Sequence, residues 1–77
     1  LGWVHYRLGN LQQAEQYLRQ AFAAFPDHEV AAHLGEVLWL RGKQREARQV
    51  WRQALDGQPD STILRETLLR LTGEEHP

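Results

Sequence analysis

The chain has 77 residues, nine Lys and Arg against ten Asp and Glu, a net charge of -1 and 42% hydrophobic residues. That describes one small globular domain and excludes a protein whose whole surface wraps nucleic acid. With no cysteine, disulfides, thiol catalysis, zinc fingers and iron–sulfur clusters are excluded. No apolar run approaches the roughly 20 residues that span a bilayer. A start at Leu1 and the absence of Met lead us to expect an excised fragment, with any targeting information upstream of it.

Taken in chain order, residues 1–8 read as a helix, closed by Gly9-Asn10 as C-terminal glycines close helices. Asn10 followed by Gln13 predicts a capping box for a second helix. Its stripe of Leu11, Ala14, Leu18, Ala21, Phe22 and Phe25 steps by three and four. Pro26-Asp27 ends it, and Asp27 is the expected N-cap of a third helix over about residues 28–41, with Val30, Leu34, Val37 and Leu38 on one face. Gly42-Lys43 makes the next break. Lys43 offers no capping oxygen, so the fourth helix starts weakly and then carries Ala47, Val50, Trp51, Ala54 and Leu55. Residues 57–60 end it, with Asp60 as the expected cap of a fifth helix over about residues 61–71; residues 73–77 read as a frayed tail. No stretch alternates like a strand, so the expected fold is all-α.

The punctuation has a period. An offset of 33 residues superposes Leu1-Gly2 on Leu34-Gly35, Gly9 on Gly42, Ala14 on Ala47, Leu18 on Trp51, Ala21 on Ala54, and Pro26-Asp27 on Pro59-Asp60. A unit with Leu-Gly in its first helix, Gly at the turn, Ala followed by a large apolar residue in its second, then Ala and Pro, resembles the tetratricopeptide repeat. The 33-residue period, Ala31 in place of a Trp, and His5 and Leu38 in place of a Tyr depart from that pattern. The resemblance implies a right-handed α-solenoid fragment: a truncated repeat over 1–27, a second over 28–60, a capping helix over 61–72 and a tail over 73–77. Its signature residues are Gly2, Gly9, Ala14, Ala21, Pro26, Gly35, Gly42, Ala47, Ala54 and Pro59. Gly2 and Gly35 are expected to face Ala14 and Ala47. At the next offset Thr67-Leu68 replaces Leu-Gly, which identifies the last helix as a cap that turns Arg65, Glu66 and Arg70 to water, and the chain as the C-terminal end of a longer array. The segment from Ala31 to Leu55 also resembles the closing repeats of long Gram-negative bacterial proteins, some of them outer-membrane lipoproteins that scaffold periplasmic enzymes. That resemblance implies a periplasmic, outer-membrane-associated parent; without it the expectation is cytoplasmic.

No catalytic constellation is visible. His5, His28, His33 and His76 are the only histidines, and the five-residue step from His28 to His33 puts the pair on different faces of a helix. The expectation is a non-enzyme with no metal and no cofactor. The segment Arg41 to Arg52 holds Arg41, Lys43, Arg45, Arg48 and Arg52 against Glu46. It reads as a solvated convex face, with binding of nucleic acid or another acidic surface as the alternative.

The family's first helices line a concave groove, and its pattern carries over to Trp3, Tyr6, Arg7, Glu29, Ala32, His33, Glu36, Trp39, Leu40, Thr62, Arg65 and Leu69. Aromatics and Arg in a concave surface anchor partners well. The family's clamp on a terminal carboxylate is missing, because Trp3, Ala32, His33 and Glu36 stand where cations and amides would be needed. The resemblance thus implies a scaffold or adaptor that binds a protein or peptide segment with apolar anchors and some positive charge, to suit Glu29 and Glu36. Nucleic acid is an unlikely partner. A weak homodimer through the hairpin of residues 1–25 is expected, since an apolar edge there has no preceding repeat.

Overall fold

In the computed structural model the described residues are 10–74. They form four helices: α1 (Leu11–Ala24), α2 (His28–Leu40), α3 (Gln44–Gly57) and α4 (Thr62–Thr72). Among the described residues there is no strand, and the periodicity alone predicts that all-α outcome. The helix predicted over 1–8 lies outside the described residues, as do Gly2 and Gly9.

Each junction follows from local chemistry. Asp27 caps α2, its carboxylate accepting from the Glu29 amide at 3.1 Å, and Glu29 adds negative charge to the positive end of the helix dipole. At the other end of α2, Gly42 adopts a φ of 82°. Its amide bonds the Trp39 carbonyl while the Lys43 amide bonds that of Leu38, a Schellman closure that needs the left-handed conformation glycine supplies. The α4 cap is Ser61, not the expected Asp60: its hydroxyl accepts from the Leu64 amide at 3.3 Å, and the helix begins and ends one residue later than predicted. Asn10 makes no side-chain cap on α1, so the predicted capping box is absent. Lys43 likewise caps α3 through its backbone carbonyl alone.

Helix α2 is the centre of the molecule, packing against α1, α3 and α4, while α3 meets α4 over a narrower front. Its Ala31, Leu34, Val37 and Leu38 join Ala47 and Trp51 of α3 and Leu64 and Leu68 of α4 in the core. Gly35, expected to face Ala47, is buried at this crossing. It lies under the Trp51 indole, one turn further along α3: a Cβ built on Gly35 would sit inside the ring, with Cδ1 only 2.7 Å away. Glycine here buys a close helix crossing with an aromatic, and Trp51 is fully buried as a result. The stripe of α1 is also shorter than predicted. Leu18 is buried, but Phe25 falls after the helix end and is 76% exposed.

Candidate functional site

Along the side shared by α2 and α4, the residues carried over from the family pattern divide into two groups. Glu29, His33 and Leu40 on α2, with Thr62, Arg65 and Leu69 on α4, are exposed. Leu40 and Leu69, at 43% and 52%, are among the four large apolar side chains open to solvent in the described residues, with Tyr17 and Phe25 on or after α1. Arg65 is bent back so that its guanidinium donates to the Pro59 carbonyl at 2.8 Å. Trp3, Tyr6 and Arg7 lie outside the described residues.

The other group is occupied internally. Ala32 is buried. Glu36, expected to present a carboxylate to a ligand, is only 7% exposed and accepts from both arms of Arg70, at 2.8 and 3.5 Å. Arg70 is therefore not simply turned to water; it crosses from α4 to neutralise α2. Trp39 is half-buried, its ring 5.9 Å from that of Trp51, with the Arg48 guanidinium 5.4 Å over its face, so it is held between a neighbour and a cation.

Glu15 of α1 is 6% exposed. Its carboxylate accepts from Arg19 one turn on at 2.8 Å, from Arg41 at the end of α2, and from Lys43 in the following turn at 3.2 and 3.3 Å. Arg19 also donates to Glu46 of α3, which extends the network over three helices. Burial pushes the Glu15 carboxyl up, but the hydrogen bonds from Arg19, Lys43 and Arg41 outweigh it and hold the group at about 2. Sequence inspection could have suggested only the Glu15–Arg19 pair, four apart on one helix.

This hub dismantles much of the basic segment between Arg41 and Arg52. Arg41 and Lys43 are turned onto Glu15, and Arg48 stacks on Trp39 and reaches Glu74 at 3.5 Å. Arg45 and Arg52 remain exposed on α3 beside Glu46.

Below the α2 and α4 N-termini an open cleft of about 620 Å³ is lined by His28 and residues 58–63. His28 Nδ1 lies 2.6 Å from the Ser61 hydroxyl, a pair one repeat period apart that links the starts of the two helices. Among the described residues no three His, Asp or Glu side chains gather as a metal site would require, and no helix is long and apolar enough to cross a membrane.

The family model described as tetratricopeptide repeat matches residues 1–62. The chain is also similar to a TPR repeat-containing protein of Pseudomonas aeruginosa, 62% identical over all 77 residues. It spans only 13% of the length of that relative.

Proposed function

Because the chain belongs to the tetratricopeptide repeat family, whose repeats generally mediate protein–protein interaction and are typically non-catalytic, we propose that it is a scaffold or adaptor element receiving a protein or peptide segment along the side shared by α2 and α4. One observation carries this reading. That side leaves Leu40 and Leu69 open to solvent between polar neighbours, whereas the rival basic segment spends two of its cations on Glu15. Exposed apolar side chains beside fixed polar groups release water when covered and give a partner its anchor points. The pairing of Glu36 with Arg70 revises the ligand expected from sequence. Of the two carboxylates expected to suit a basic ligand only Glu29 stays exposed, so recognition rests on apolar anchors more than on positive charge in the ligand. Trp3, Tyr6 and Arg7, outside the described residues, are proposed to extend the same surface.

The test uses peptides selected against the 77-residue chain from a random display library. Leu40→Ala/Leu69→Ala should weaken the selected peptides at least tenfold, which corresponds to about 1.4 kcal/mol, with helicity unchanged. Arg45→Ala/Arg52→Ala should change affinity less than about twofold, as exposed charges do. The reverse ranking would move the site to α3. Sub-micromolar, steeply salt-dependent binding of labelled RNA lost in Arg45→Glu/Arg52→Glu would replace the proposal with its nucleic-acid rival.

A further inference from the structure

Two ion pairs in this molecule are the same contact seen twice, with the charges exchanged. Glu15 meets Arg41, and Arg48 meets Glu74. Both pairs span 26 residues, and Glu15 and Arg48, like Arg41 and Glu74, stand one 33-residue period apart. In each case a residue in the first half of a second-type helix, α1 or α3, holds the segment that leaves the next first-type helix, α2 or α4. Each of those segments carries a left-handed glycine, Gly42 at φ 82° and Gly73 at φ 77°.

We propose that the two joints carry opposite charge codes: the α1 joint accepts a basic turn and the α3 joint an acidic one, so that each face of the stack admits only its own neighbour. The inference goes beyond the ligand-binding reading and does not depend on it. Reversal at one position alone would set like charges against each other, carboxylate on carboxylate or guanidinium on guanidinium. Reversal at both keeps the contact and changes its specificity, which is how charge discriminates between partners that share one shape. The surroundings of each hub reinforce its sign. Around Glu15 stand Arg19 and Lys43 as further cations, and an acidic turn brought there would leave Glu15 buried without its partners. Arg48 is fixed in place by the Trp39 ring, and a basic turn brought there would meet a cation already stacked. A repeat displaced by one unit, or a second copy docking on the α3 end with its own basic turn, is thereby rejected.

The code is tested by charge-reversal cycles in the 77-residue chain, read as the urea midpoint of helix loss. Glu15→Arg should lower the midpoint by roughly 1 M or more. Adding Arg41→Glu/Lys43→Glu should recover at least half of that loss. Adding Glu74→Arg, which belongs to the other joint, should recover none. The end joint is more exposed, and its cycle is milder: Arg48→Glu lowers the midpoint measurably and Glu74→Arg restores it. If Glu15→Arg does not fold, this second cycle decides the matter. Strictly additive losses in a matched cycle, or equal recovery by the reversal from the wrong joint, would overturn the code.

Discussion

Helix α2 is bound on two sides by opposite means. Against α3 it is apolar and close: Gly35 lies under the Trp51 ring, which fills the space between the two helices there. Against α4 the contact mixes apolar packing by Leu64 and Leu68 with polar links at both ends, His28 to Ser61 and Glu36 to Arg70. The first seam depends on volume and tolerates no added atom. The second depends on pairing, and each link can be removed singly. A hairpin within a repeat and a contact between repeats therefore fail in different ways, even though one helix makes both.

The largest effect is expected at the apolar seam. Gly35→Ala forces its methyl into the indole and should destabilise by about 3 kcal/mol or more. Pairing it with Trp51→Leu, which removes the ring, should cost less than the sum of the two single changes when both are measured by urea unfolding. Equal additivity would show that the crossing is looser than the geometry states.

Acid attacks a third contact, the Glu15 hub that ties α1 to the α2–α3 hairpin. Its folded carboxyl sits at about 2, below the ordinary range near 4.3 that it has in an unfolded chain. The stabilisation is therefore complete above pH 4.5 and is lost as pH falls from there towards 2. For this buried group it is on the order of 3 kcal/mol. In urea titrations at successive pH values Glu15→Gln should flatten that acid slope and lower stability at pH 7.

The polar seam gives smaller losses. Arg70→Ala strands the Glu36 carboxylate and should cost about 1–2 kcal/mol, much of it returned by Glu36→Gln in the same chain. Ser61→Ala removes the α4 cap and its link to His28, for about 1 kcal/mol. Smallest of all, Leu40→Ala and Leu69→Ala should alter thermal stability by less than about 0.5 kcal/mol, a result that would separate their proposed binding role from any part in the fold.

The helices themselves were legible because the steps of three and four in the apolar residues report a property of each segment alone. Glycine punctuation was legible for the same reason: Gly42 ends α2 through its own backbone angles. Pairings between distant segments were much less so. The small size of Gly35 announces a close approach, but not that the Trp51 ring, one turn on from Ala47, fills the space over it. Glu15 lies among glutamines on the polar side of α1 and looks like any solvated acid until the chain brings Arg41 and Lys43 to it. Along the sequence those two cations stand with Arg45, Arg48 and Arg52 as one patch, although the fold sends them to Glu15. Glu36 was legible as a position and not as a state, because Arg70 had first to be placed across from it. Phe25 extended a helical stripe past the residue where the helix stops.

The depth of Trp51 makes the seam observable in time as well as in space. Its indole N–H is fully enclosed, so in heavy water its proton exchanges only when α2 and α3 part. The side-chain resonance of Trp51 is then a stopwatch for hairpin opening, read without any substitution. The half-buried Trp39 beside it, 5.9 Å away ring to ring, is a built-in control for motions that loosen the surface and leave the crossing closed.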